Sequence, residues 1–146
     1  MKFRVVTICA LAVAVVLSAT AEERYKVIVH TSVPITSAAP KDLSALFLKK
    51  VASYEKWGST QKVVPFDLGG ESATREAFTK SVHGKPLTAI KSYWQQQIFS
   101  GRGTPPAELP SDSEVIATVA RTAGAIGYVS IDTPLPATVK EIRLTQ

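Results

Sequence analysis

Lys62-Val63-Val64-Pro65-Phe66-Asp67-Leu68-Gly69-Gly70-Glu71-Ser72-Ala73-Thr74-Arg75 passes from a β-like run, through two glycines, into a helical pattern. The β-branched and aromatic residues of Lys62–Phe66 predict a strand. Ala73, Ala77, Phe78 and Val82 then fall on one side of a helix predicted over Ser72–Val82. A strand that turns directly into a helix is the building step of an α/β layer.

The flanking sequence repeats the alternation. Upstream, Tyr25-Lys26-Val27-Ile28-Val29 predicts a first strand, and Thr31–Pro40 a loop of small residues and proline. Leu43, Leu46, Phe47 and Val51 share one helical face in a segment beginning near Asp42. A polar connection over Tyr54–Gln61 leads to the central strand. Downstream, Leu87, Ile90, Trp94 and Ile98 predict the buried face of another helix, ended by Ser100-Gly101-Arg102-Gly103. Thr104–Pro110 reads as a proline-bearing turn, and Tyr93, Trp94 and Phe99 as core aromatics. Ser111-Asp112-Ser113-Glu114 has the form of a capping box, with Val115, Ile116, Val119 and Ala120 turned inward before Gly124. Ala125–Ile131 and Val139–Leu144 complete the strands. The expected architecture is one small three-layer α/β domain, with a mostly parallel sheet and flanking helices.

The N-terminus reads differently. Lys2 and Arg4 precede an apolar run from Val5 to Leu17, and Ala19-Thr20-Ala21 offers a small-x-small cleavage pattern. The run is too short for a bilayer span of roughly 20 residues. Residues 1–21 are therefore expected to be a signal peptide cleaved after Ala21, leaving 22–146 as the working domain, in a bacterial periplasm. Cys9, the single cysteine, leaves with it. The mature part must then be held by an ordinary core rather than by disulfides. Of the 17 basic residues, Lys2 and Arg4 are lost, leaving 15 against 12 acidic ones, a net +3. They are scattered rather than gathered in a stripe, which argues against nucleic acid.

Residues for catalysis are sparse. The mature part has no thiol. His30 and His83 stand apart without metal-ligand spacing, and no G-x-S-x-G elbow is present. The reading is non-enzymatic, with no cofactor and no metal. Gly70, Glu71, Ser72, Ala73, Thr74 and Arg75 form the candidate site instead. Free amides at a helix start favour an anion, two hydroxyls can donate to it, and Arg75 can add charge. Against this stands the plainer alternative that Ser72 caps its own helix and Arg75 faces water. Substituting Arg75 is expected to leave folding intact. Arg102, in a second glycine-rich turn, is a secondary anion contact.

Four segments in order carry a resemblance. Leu43-Ser44-Ala45-Leu46-Phe47-Leu48 with Trp57-Gly58 is similar to an "L-x-x-I-F-x-G-K … W-x-D-G" segment. Glu71–Phe78 matches "G-S-G-T-x-x-x-F" in position, Tyr93-Trp94 to Pro106 matches "Y-W … F-x-G-x-G-x-x-P", and Gly124–Val129 matches "G-A-I-G-Y-V". Together they resemble the phosphate-type substrate-binding proteins of bacterial ABC transporters, and more narrowly their short secreted members. The resemblance implies one lobe of a type 2 periplasmic binding protein and a phosphate-like oxyanion at Ser72–Arg75. It also implies a transporter permease or an envelope sensor as partner. A homodimer could replace the missing lobe. Ala73 and Lys49 stand where the family has glycine, and Asp67 and Leu68 where an arginine commonly precedes the loop. An interaction module that kept the fold and lost the ligand is the alternative.

Overall fold

In the computed structural model, which describes residues 24–146, strand β1 (Tyr25–His30) lies at the centre of a six-stranded sheet. The segment read as a signal peptide falls outside the described residues. The chain continues through β2 (Ser37–Ala38), α1 (Pro40–Phe47), a single 3₁₀ turn at Glu55–Trp57, and β3 (Val64–Leu68). Helices α2 (Ala73–His83) and α3 (Leu87–Phe99) follow, then β4 (Ala107–Leu109), α4 (Asp112–Arg121), β5 (Ala125–Ser130) and β6 (Val139–Leu144).

The strand order is β2-β6-β1-β5-β3-β4. Pairing is parallel at three of the five contacts, β2–β6, β5–β3 and β3–β4, and antiparallel where β1 meets β5 and β6. The helical crossovers from β3 to β4 and from β4 to β5 impose the parallel run β5–β3–β4, as the alternation of elements predicts.

The two faces are packed differently. On one, the Phe78 ring of α2 stacks on Tyr128 of β5, with centroids 3.7 Å apart and planes 6° from parallel. Phe47 of α1 and Tyr25 of β1 meet Phe78 edge-on at 4.8 Å and 5.4 Å. On the other face α4 lies directly on the sheet. A Cβ on Gly127 would sit 2.8 Å from Val115 Cγ1, so the absence of a side chain there lets the helix approach. Helices on both faces make the expected three layers.

Several boundaries differ from the sequence reading, each for a local reason. Strand β3 begins at Val64 and runs through Leu68, two residues further than predicted. Pro65 is tolerated because Val64 N–H bonds the Gly124 carbonyl on the β5 side. The proline nitrogen therefore lies on the opposite side, where β4 begins only opposite Phe66. The predicted turn at Thr104–Pro110 contains β4, and the loop at Thr31–Pro40 contains β2. Both strands are too short for a β-pattern to show. Helix α1 ends before Val51, because Lys49 turns into the left-handed region with φ 54°; Val51 is exposed. Phe99 is not a core aromatic: it is 97% exposed, and Ile98 is half exposed, because α3 packs on α2 rather than on the sheet.

His83, at the end of α2, contacts Ser44 Oγ of α1 through Nδ1 at 2.8 Å and packs edge-on against Phe78. Burial, helped by the charge of Lys50, lowers its pKa from 6.5 to about 4. A base whose folded pKa is depressed contributes its full stability above pH 6.5 and loses it as the pH falls toward 4, since the unfolded chain binds the proton first. The effect is expected to be about 2 kcal/mol after discounting for partial exposure. Urea unfolding at pH 7 and pH 4.5 should show His83→Gln to be less pH-dependent over that window than the natural chain. Equal slopes would mean that His83 does not titrate there.

Candidate functional site

The turn between β3 and α2 is built by glycine and closed by a cap. Gly70 takes φ 73°, a left-handed conformation that reverses the chain toward the helix. Gly69 donates its N–H to the Leu109 carbonyl of β4 at 2.8 Å. A Cβ there would lie 3.3 Å from that same oxygen, so the turn hugs the edge strand. Ser72 is the N-cap, its Oγ accepting from Arg75 N at 3.1 Å, and its carbonyl accepts from Glu76 N. The amides of Glu71, Ser72, Ala73 and Thr74 have no acceptor among the described residues. Glu71 and Ala73 are exposed, and Ser72 and Thr74 half-buried, so this row of donors is open to solvent.

Arg75 departs from the expectation that it faces water. It is only 5% exposed, so it does not face water, and its guanidinium is already engaged. Nη1 donates to the Gly70 carbonyl at 2.9 Å, holding the turn closed. Nη2 donates to Asp67 Oδ2 at 3.0 Å and to Glu108 Oε1 at 2.6 Å. Nε is buried without a partner among the described residues. Asp67 Oδ1 in turn accepts from the Tyr128 hydroxyl and from Leu68 N–H. Tyr128 thus has its ring stacked under α2 and its hydroxyl under the turn.

The protonation behaviour follows from burial and charge. Loss of water around Asp67 raises its pKa, against the pull of the Tyr128 hydrogen bond and of Arg75. Burial and the neighbouring Asp67 charge raise the Tyr128 phenol, which stays protonated. Burial alone would lower Arg75, but Asp67 and Glu108 outweigh it and raise the guanidinium, which stays charged. The network is therefore one buried cation held between two carboxylates, one of them hydrogen-bonded to a neutral phenol.

At the rim, Lys91 of α3 donates to Glu71 Oε1 at 2.8 Å, and this contact lowers the Glu71 pKa. It places a cation beside the open amides and offsets the one acid in the turn. Arg102 lies apart, in an open hollow of about 700 Å³ that it lines with Ser92, Gln95, Gln96, Phe99 and Ser100 on the outer side of α3. None of the turn residues lines that hollow.

Sequence reasoning thus located the turn, the cap and the open amides. It missed Glu108, Tyr128 and Lys91. Lys91 shares the sequence of a predicted helix with no mark of its partner, and Glu108 lies in a strand too short to foresee.

Neither a family model nor a curated protein matches the sequence, but solved structures match the fold. An ABC-type phosphate transport receptor from Vibrio cholerae superposes with a TM-score of 0.64 at 17% identity, over 83% of this chain and 46% of its own. A Clostridium perfringens protein solved with bound phosphate gives 0.62 at 17%, over 84% and 46%. PstS from Borrelia burgdorferi gives 0.59 at 14%, over 84% and 47%. The fold is similar to about half of each of these structures. The chain spans less than half the length of the structures it matches.

Proposed function

We propose that the chain is an exported, non-enzymatic binding module that holds phosphate or a similar oxyanion at the β3–α2 turn and works with an ABC transporter of the envelope. The open amides of Glu71 to Thr74 carry the reading, within a fold shared with phosphate receptors. A helix start concentrates partial positive charge, and four unpaired N–H groups can meet the oxygens of a tetrahedral anion. The Ser72 and Thr74 hydroxyls and Lys91 add donors around the rim, with Gly70 shaping the approach. Arg75 supports the turn from beneath, and Arg102 lines a separate hollow with residues of α3. The first 21 residues serve as the export signal, and 22–146 form the binding domain.

A single lobe leaves one side of the anion hydrated, so binding is weak, roughly micromolar to millimolar, unless a second copy closes over it. Ala73→Pro is the sharpest test. Ala73 is the first helical residue and Ser72 before it is extended (φ −82°, ψ 153°), so proline fits and removes one open N–H without breaking a bond. Calorimetry with phosphate is expected to show a loss of roughly tenfold or more for Ala73→Pro, and a similar one for Thr74→Ala, with unchanged melting temperatures. If phosphate, sulfate and a phosphonate all give no heat at millimolar concentration, the oxyanion reading is wrong.

One observation favours a second reading, an interaction module that has lost the ligand. The Phe99 side chain stands almost fully in solvent at the mouth of the Arg102 hollow, as an aromatic anchor for a partner would.

A further inference from the structure

We infer that Glu108 is a built-in competitor for the anion site: its carboxylate occupies the outward donor of Arg75, and an oxyanion must displace it to reach the full set of donors. The inference rests on the oxyanion reading and concerns the state of that site before ligand arrives.

Three observations carry it. First, the two carboxylates on Arg75 are not equivalent. The Asp67 side chain is 20% exposed and anchored by Tyr128 and Leu68, whereas the Glu108 side chain is 51% exposed, and Arg75 is its one ion-pair partner among the described residues. Asp67 is fixed, and Glu108 is free to swing into water at little desolvation cost. Second, Glu108 is positioned at the turn itself. A Cβ on Gly69 would lie 3.7 Å from Glu108 Oε2, so the carboxylate stands against the Gly69-Gly70 backbone from which the open amides begin. Third, Arg75 has donors to spare. Its Nε is buried without a partner among the described residues, and the residue is 95% enclosed. A guanidinium with an unused N–H, capped by one mobile carboxylate, is a cation held in reserve.

Two states follow. With Glu108 in place, the site carries a negative charge at its edge and Arg75 is shielded. With Glu108 released, Nη2 regains a donor on the solvent side, adjacent to the helix start, and one acidic group leaves the neighbourhood of the bound anion. Glu108 thereby sets the affinity of the site without touching the ligand, and its position on the short edge strand β4 lets it move without disturbing the sheet.

Phosphate titrations of the natural chain, Glu108→Gln and Glu108→Asp by calorimetry test this. Glu108→Gln removes the charge, and Glu108→Asp keeps it but withdraws it by one methylene from Nη2. Both are expected to bind phosphate more tightly than the natural chain, Glu108→Gln by roughly tenfold and Glu108→Asp by a smaller factor, because each weakens the direct pair. In a ¹⁵N NMR titration of the natural chain, the Arg75 side-chain signals should also shift as phosphate is added. If the natural chain binds phosphate and neither variant gains, or only Glu108→Gln does, Glu108 is not a displaceable occupant. If none of the three chains binds phosphate, the oxyanion reading falls and this inference with it.

Discussion

Arg75→Met is expected to cost the protein about 3 kcal/mol or more of stability, with a melting temperature lower by roughly 10 °C. Methionine fills a similar volume, so the loss isolates charge and hydrogen bonding from packing. Removal of the guanidinium leaves Asp67 without its cation while it remains mostly buried. It also leaves the Gly70 carbonyl without the donor that closes the turn. Breaking a buried pair from one side is the costly way to break it, because the abandoned charge stays behind. Asp67→Asn in the same chain should recover part of the loss, since an amide can still accept from Tyr128 without carrying charge. Urea unfolding of the two variants and the natural chain measures both effects. A loss below about 1 kcal/mol for Arg75→Met would show that the network is not structural. The sequence reading expected folding to survive the loss of Arg75; the buried network reverses that expectation.

Gly124→Ala is expected to have an effect of similar size through a different mechanism. Gly124 has φ 79°, and a Cβ built on it would lie 2.2 Å from the Lys62 carbonyl oxygen. Backbone cannot yield as a flexible side chain can. Its own carbonyl accepts from Val64 N–H at 3.0 Å and from the buried Tyr54 hydroxyl at 2.9 Å, so any shift to relieve the clash breaks one of these bonds. Left-handed strain of about 1–2 kcal/mol and overpacking of about 1–3 kcal/mol act together. Thermal melts should show a loss near 3 kcal/mol, whereas Gly84→Ala should lose far less. Gly84 shares the positive φ (63°) but has nothing within 4 Å of its would-be Cβ. Equal losses at the two glycines would mean that conformation alone, and not the close approach to Lys62, decides the cost.

How much of this the sequence disclosed depends on range. Elements with a long period were legible: α2 and α4, with Ser72 and Ser111 accepting from the amides of Arg75 and Glu114, lie within a residue of their predicted starts. β1, β5 and β6 are equally close to prediction, because strands of six residues are long enough to leave a pattern. The two- and three-residue strands β2 and β4 leave none; they exist because β6 and β3 offer them an edge. The site divides the same way. The cap, the glycine turn and the helix start are local, and Gly70 to Thr74 can be read from spacing. The partners of Arg75 are not: Glu108 is 33 residues away and Tyr128 meets Asp67 across 61. An arginine three residues after a cap reads as an exposed donor until the fold encloses it. Asp112 shows the same limit, since it looks like a first-turn acid but accepts from Ser130 N–H and the Thr133 hydroxyl, tying α4 to the loop after β5.

The central position of β1 bears on when the protein can fold at all. Its two neighbours are the last two strands of the chain, with Val27 opposite both Tyr128 and Ile142. Each of those pairings closes a loop of about a hundred residues, and the entropy of closure is spent before the contacts form. A chain emerging from its N-terminus, whether from a ribosome or through a membrane pore, therefore carries β1 unpaired until β5 arrives and half-paired until β6 does. Assembly of the sheet waits for nearly the full length to be delivered, and the order of delivery itself holds the chain open until its last strands arrive.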